Sequence, residues 1–254
     1  MATGAAGHNG GQPVAAAQPG DGRPGLRGGL RRALLHLSRP DVSPQQGDAL
    51  VIAIVDYEIG NLGAVANMLL RIGAAAEITS DPARIERAER IILPGNGAFD
   101  ACMRNLRATG LVPLLEDRVL RQRVPLLGIC VGAQMLGHGS EEGTEPGLGW
   151  LELRVRRFPP LPGLRVPHMG WNEVRLPAEP HPLVRDLEAD ARFYFVHSYY
   201  IEPAHEEDVL LRAHYGIDFA AGVARENIAG VQFHPEKSHR FGKRLLSNFA
   251  RGDQ

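Results

Sequence analysis

The chain has 254 residues, 22% of them charged, with a formal net charge of −1 and two cysteines, Cys102 and Cys130. That balance gives no electrostatic case for binding nucleic acid or an anionic membrane, and two cysteines cannot build a disulfide framework. No apolar run approaches the roughly 20 residues that a membrane span needs, so the reading is a soluble, cytoplasmic protein with one sizeable α/β domain.

Residues 1–48 are dominated by Ala, Gly, Pro and Gln. Such a segment buries too little apolar surface to offset its ordering entropy, and an extended, disordered N-terminal extension is expected. Its Arg-rich part, Arg23 to Arg39, also fits a transit peptide, since Asp21 is the sole acidic residue before Asp41. A flexible tail or a start placed too early explains the same composition more simply.

The folded domain, residues 49–254, opens with the apolar strand Leu50–Asp56. A turn through Gly60-Asn61-Leu62-Gly63 leads to a helix carrying Val65, Met68, Leu69 and Ile72. Strands are predicted at Ala76–Thr79 and Arg90–Pro94, helices at Phe99–Arg107 and Leu111–Arg121, and a further buried strand ending at Ile129. Strands alternating with helices predict a mainly parallel sheet covered on both faces, with ligands at the strands' carboxyl ends. Beyond Trp150 the pattern alternates, at Leu151–Arg157, Glu173–Leu176 and Arg192–Tyr200, which predicts added antiparallel strands. Val223-Ala224, Ile228–Phe233 and a last helix over Arg240–Ala250 close the domain.

Gly128-Ile129-Cys130-Val131-Gly132-Ala133-Gln134 places a cysteine between that buried strand and a predicted helix, Gly132 to His138. There a helix N-terminus favours thiolate, and the N–H of Val131 is free to stabilise an oxyanion. Alone, Cys130 reads as a small buried hydrophobe. A partner changes that: His234 ends the run Ile228–Phe233, and Glu236 follows two positions later. A thiol, an imidazole to take its proton and a carboxylate to orient the ring make a nucleophilic triad. Pro94-Gly95-Asn96-Gly97, after a buried strand, reads as an oxyanion strand rather than a plain turn. Cys102, on a helix, reads as packing, and His168 and His197 read as structural, with no carboxylate in register. Gly147-Leu148-Gly149 lacks the strand and the Lys-Ser/Thr of a phosphate loop.

With these residues in view, the chain from about Val51 to Ala250 resembles the class I, triad-type glutamine amidotransferases, and within them the glutaminase subunits of imidazole glycerol phosphate synthase. The resemblance rests on Ile54-Val55-Asp56-Tyr57, Gly60-Asn61-Leu62, Leu93 to Phe99, Gly128 to Gln134, Ser140-Glu141-Glu142-Gly143, Val166 to Asn172, Tyr194 to Tyr199 and Gln232 to Ser238. It implies a flavodoxin-like fold and hydrolysis of L-glutamine through a thioester on Cys130. His234 and Glu236 would complete the triad, and the N–H groups of Val131, Asn96 and Gly97 would form the oxyanion hole. Gln134, Gly97, His197 and Ser198 would surround the substrate. It further implies no metal or cofactor, and a heterodimer with a cyclase (β/α)8 subunit that receives the ammonia, docked over Asn61, Trp171, Tyr194 and Lys237. Glu58, Asn96, Val131 and Ala133 depart from the family's usual Gly, Val, Leu and Met, and Ala133 implies looser packing beside the nucleophile. Two alternatives stay open. One is a paralogue feeding amidation of a surface-polysaccharide sugar, which Ser238-His239-Arg240-Phe241-Gly242 and Gly147-Leu148-Gly149-Trp150 resemble. The other is a non-catalytic module that regulates a synthase.

Overall fold

A computed structural model describes residues 51–179 and 181–252. The expected N-terminal extension, residues 1–48, lies outside the described residues.

The parallel half follows the hydrophobic pattern. Strand β1 (Val51–Val55) is followed by helix α1 (Leu62–Arg71), β2 (Ala75–Thr79), α2 (Pro82–Arg87) and β3 (Arg90–Gly95). Then come α3 (Phe99–Ala108), α4 (Val112–Glu116), β4 (Leu126–Cys130) and α5 (Val131–Gln134). Helix α2 escapes the periodicity because it is too short to show any; its start is set locally by Asp81, whose side chain accepts from Ala83 N–H, and by Pro82 at the first position. The helix predicted over Leu111–Arg121 forms as α4 continued by a π turn at Asp117–Arg121.

The second half adds β5 (Leu153–Arg157), β6 (His168–Glu173), β7 (Arg192–His197), β8 (Tyr199–Pro203), β9 (Val209–Tyr215), β10 (Ile217–Arg225), β11 (Ile228–Val231) and α6 (His239–Arg251). The large sheet runs β2-β1-β3-β4-β11-β10-β8-β5, with β9 paired to β10. From β2 to β11 all pairings are parallel; the later ones are antiparallel. Strands β6 and β7 form a separate antiparallel pair.

Two expectations need correcting here. The strand expected at Glu173–Leu176 lies earlier, at His168–Glu173, because these residues pair with β7, while Arg175 makes only an isolated bridge to Arg212. The run Arg192–Tyr200 is not one strand. It breaks at Ser198, with β7 pairing to β6 and β8 entering the large sheet. The β9–β10 hairpin went largely unread in the sequence, since only Val223-Ala224 was assigned.

The core is continuous across the parallel strands, with Ile52, Ile54, Ile91, Ile92, Leu126 and Leu127 fully buried. Residues apolar on both faces are what a doubly covered sheet requires. The looser packing expected at Ala133 is absent. Its side chain is fully buried, and a Cβ placed on Gly230 would lie only 2.8 Å from Ala133 Cβ.

Candidate active site

Three neighbouring parallel strands end together. The register pairs Gly95 of β3 with Cys130 of β4, and Ile129 of β4 with Val231 of β11. Cys130 therefore sits between the loop leaving β3 and the segment Gln232-Phe233-His234 leaving β11. Its backbone has φ 54 and ψ −113, a conformation L residues rarely adopt. Such geometry costs about 1–3 kcal/mol and persists only where neighbours over-determine it. The predicted helix Gly132 to His138 shortens to a single turn, α5, because the carbonyls of Met135, Leu136 and Gly137 accept from residues 148–151 instead. Helix charge thus has little length to build on at Cys130.

The β3 end is pressed directly on this turn. A Cβ on Gly132 would stand 1.9 Å from the carbonyl oxygen of Leu93, and one on Gly95 would stand 2.3 Å from the N of Gly132. Only glycine permits that approach. The Pro94 carbonyl accepts a hydrogen bond from the buried Tyr57 hydroxyl, whose pKa is raised, first by burial, so that it stays a donor. The Asn96 carbonyl accepts from Cys102 Sγ at 3.5 Å, and Phe99 N–H donates to Glu142 Oε2 at 2.9 Å. Asn96 and Gly97 themselves are exposed, Gly97 with φ +90. Cys102 is thus more than packing, and Glu142 is no free solvated charge.

His234 Nδ1 donates to Glu236 Oε1 at 2.8 Å, with the two side chains 4% and 2% exposed. Burial alone would depress the imidazole; hydrogen bonding and charge from Cys130 and Glu236 outweigh it and push the pKa up to about 9. Nε2 faces away from the carboxylate and is buried without a hydrogen bond of normal geometry, even to the thiol that influences it. Buried nitrogens rarely stay unpaired except where chemistry uses them. The backbone of this turn is clamped to β7: His234 N–H donates to Tyr194 O at 2.9 Å, Tyr194 N–H to Ser238 Oγ at 3.0 Å, and Ser238 Oγ–H to His234 O at 2.6 Å.

On the far side of Cys130 a buried polar chain begins. Gln232 Nε2 lies 3.9 Å from Cys130 Sγ. Gln134 Nε2 donates to Gln232 Oε1 at 3.1 Å and to Tyr199 O at 3.2 Å. The same carbonyl accepts from His197 Nδ1 at 2.8 Å, and His197 Nε2 is 2.9 Å from His168 Nδ1. Asn172 Nδ2 approaches His168 Nε2 at 3.3 Å and donates to His214 O at 2.9 Å. His197, expected to contact glutamine, therefore has both ring nitrogens engaged within the protein, and its imidazole has none left for a ligand. His168 is stacked between Phe195 and Tyr215, with centroids at 4.8 and 4.0 Å.

Burial lowers His168 to about 4, and burial above all lowers His197 to about 3, both from an ordinary 6.5. Neutral rings of this kind stabilise the fold above pH 6.5, and the contribution is lost as pH falls toward 4 and 3. His234 acts oppositely: its contribution is full below 6.5 and lost as pH rises through about 9. Denaturant unfolding followed across pH should give a stability maximum flanked by both losses, with a shallower acid limb in His168→Gln. An acid limb unchanged by that substitution would refute the assignment.

The model for "Glutamine amidotransferase class-I" matches residues 53–252. The chain is 51% identical over 199 residues to "Imidazole glycerol phosphate synthase subunit HisH 2" of Pseudomonas aeruginosa, covering 78% of this chain and 98% of that one. It is 48% identical to subunit HisH of Bdellovibrio bacteriovorus, over 79% and 99% of the two chains. The chain belongs to the class-I glutamine amidotransferase family. Among solved structures, one titled as a glutamine amidotransferase superposes with TM-score 0.63 at 22% identity, covering 80% of this chain and 98% of that one. PurLQS of Thermotoga maritima gives 0.63 at 18%, with the same coverage. These two likenesses are of fold, an α/β sheet mainly parallel with antiparallel additions.

In this amidotransferase chain Trp171, Tyr194 and Lys237 lie close together. Alternation on β6 and β7 sends His168 and His197 inward and Met169, Trp171, Val196 and Tyr194 outward. Met169 is 62% and Trp171 45% exposed. Lys237 Nζ lies 5.9 Å from the Tyr194 ring centre, and α1, which begins beside the exposed Asn61, packs against the turn Pro235–Lys237. Ser198 is half-buried at the break between β7 and β8. A surface cavity of about 620 Å³ opens elsewhere, around Arg175, His181 and Arg212, so cavity size does not locate the amidotransferase centre. Among the described residues no group of three or more His, Cys, Asp or Glu is placed to hold a metal, and no helix is long and apolar enough to cross a membrane. Gln232 and Tyr57 lie in segments that carry the family resemblance but were given no role there. Gln232 carried a further signal, being polar within the apolar run Ile228–Phe233.

One departure from the usual family pattern has a visible local effect. Glu58, where glycine is usual, has φ 67, and its N–H is held by Asp56 Oδ1 at 3.0 Å. The turn thus carries a left-handed residue with a side chain.

Proposed function

We propose that this chain is the glutaminase subunit of an imidazole glycerol phosphate synthase, releasing ammonia from L-glutamine for a partner subunit. The observation that carries the chemistry is the buried His234–Glu236 pair beside Cys130, at the carboxyl ends of adjacent parallel strands. The synthase assignment is supported by relatives of that name, matched over nearly their full length.

Cys130 Sγ attacks the δ-carbon of glutamine. Charge developing on the carbonyl oxygen is held by the N–H of Val131 and by one from Asn96 or Gly97, where loss of a donor typically costs on the order of 10²–10³ in turnover. His234 passes the thiol proton to the leaving nitrogen, so ammonia departs and a thioester remains. The same ring then takes a proton from water, which cleaves the thioester to glutamate and restores the thiol. Glu236 holds the ring's Nδ1–H throughout. The apolar outer face of β6–β7, with Trp171 as its large exposed anchor, is the docking surface for a cyclase (β/α)8 partner. Docking there presses on Tyr194, whose backbone clamps His234.

Mixing the chain with such a cyclase and its phosphoribosyl nucleotide precursor should yield imidazole glycerol phosphate with glutamine as the nitrogen source, and Trp171→Ala should weaken assembly by on the order of tenfold or more. A second reading keeps the glutaminase and changes the acceptor to a surface-polysaccharide sugar. It is favoured by one contact: His239, within the segment that resembles those paralogues, stacks on Trp171 at 5.3 Å and so alters the docking face. Failure to pair with a histidine-pathway cyclase, with glutaminase chemistry intact in another pairing, would select it.

A further inference from the structure

Strands β1 and β3 pair only as far as Ile54 and Ile92, and the next N–H on the β3 side is missing because residue 94 is proline. Asp56 N–H turns the other way, to Thr79 O at 3.0 Å. The alternation of a parallel ladder would next bring the backbone N–H of Tyr57 to the Pro94 carbonyl. The chain delivers the Tyr57 hydroxyl there instead. A carbonyl only accepts, so the phenol's single hydrogen points to it rather than to Met135 Sδ, 3.7 Å away. Tyr57 is itself fixed from behind: it is fully buried, and its own carbonyl accepts from Asn105 Nδ2 of α3 at 3.3 Å.

Two residues on, α3 holds the β3 extension again, where Cys102 Sγ–H donates to the Asn96 carbonyl at 3.5 Å. Burial raises the pKa of both the phenol and this thiol, so both remain donors. Gly95 lies between the two held carbonyls, in register with Cys130 and against Val131 and Gly132. A trans peptide points its N–H opposite to its C=O. Holding the Asn96 carbonyl toward Cys102 therefore turns the Gly97 N–H away from α3, and among the described residues no backbone group accepts from it. We propose that Tyr57 is a positioning residue for oxyanion stabilisation. With Cys102 it replaces the missing ladder and holds Pro94 to Gly97 against the Cys130–Val131 turn. The proposal rests on the reading of Cys130, His234 and Glu236 as a glutaminase centre.

The test uses the full chain with its synthase partner and two reagents that meet the same sulfur. Hydrolysis of L-glutamine develops an oxyanion; alkylation by iodoacetamide displaces iodide from a methylene carbon and develops none. Glutamine hydrolysis by the parent and its loss in Cys130→Ala checks the glutaminase reading separately. In Tyr57→Phe, kcat should fall roughly tenfold with KM within about twofold, a part of what losing a whole oxyanion donor costs. Alkylation of Cys130, followed by mass spectrometry of the labelled peptide, should keep its rate within about twofold, since it depends on the thiolate alone. Cys102→Ala should lower kcat about threefold, a thiol being the weaker donor, and Cys102→Ser should recover most of that loss. If hydrolysis and alkylation fall together in Tyr57→Phe, the residue merely supports the turn that carries the sulfur, and the proposal is overturned. An unmoved kcat, or a change in KM alone, overturns it as well. Should Tyr57→Phe fail to fold, the comparison of Cys102→Ala with Cys102→Ser, read by the same two reagents, decides alone.

Discussion

Cys130→Ala is expected to abolish glutamine-dependent synthesis, by on the order of 10⁴-fold or more in turnover, while a suitable partner still works with added ammonia. The substitution isolates the chemistry. Alanine keeps the Cβ and the φ 54 backbone of the native residue, so it neither relieves nor adds strain at the turn. Only the sulfur is removed. A second readout accompanies the loss. His234 is held at about 9 against its own burial, with Cys130 foremost among the neighbours raising it, so its imidazole should titrate lower in the variant. Histidine NMR would report this directly. Loss of ammonia-dependent synthesis as well would show that the defect is structural, whereas retained glutamine-dependent synthesis would remove Cys130 from the role of nucleophile.

Gly132→Ala is expected to damage activity through backbone alone. The added methyl would stand 1.9 Å from the Leu93 carbonyl oxygen, a distance that no rotamer change can relieve. The β3 end must move off the turn, taking Pro94 to Gly97 away from Val131. Overpacking of this kind costs about 1–3 kcal/mol in stability, and a misplaced oxyanion donor on the order of 10²–10³ in turnover. Gly63→Ala is the matched control. Gly63 lies in α1 with nothing within 4 Å of an added Cβ, so the change should be neutral or stabilise by up to about 1 kcal/mol. Unfolding curves and glutaminase rates on the two variants check this. Full activity in Gly132→Ala would mean that the close approach of β3 is not needed for function.

The parallel half of the fold was legible because its strands are buried on both faces and read as unbroken apolar runs. The β9–β10 hairpin was not, since β10 is buried without a break from Phe219 to Val223 and β9 lacks a strict alternation, so neither shows the period of a half-buried strand. Ser198 shows the same limit: a residue between two strands of one apolar texture gives no local sign that the chain changes sheets there. Cys130, His234 and Glu236 could be named together from residue type alone, because thiol, imidazole and carboxylate at strand ends imply one another chemically. The Gln232 amide and the Tyr57 hydroxyl could not, as their roles come from what they happen to face.

By itself the sequence determined which groups carry charge or protons and, to within a residue or two, where the buried parallel strands end, for these depend on residue type and short-range periodicity. It also delivered the small residues at 95 and 132. Tertiary structure alone decided that Gly95 lies against Gly132, that His234 keeps its proton against burial, and that the Tyr57 hydroxyl meets the Pro94 carbonyl. Each depends on the distance and direction of a group remote in sequence, and hydrogen bonds and close contacts change sign over about an ångström.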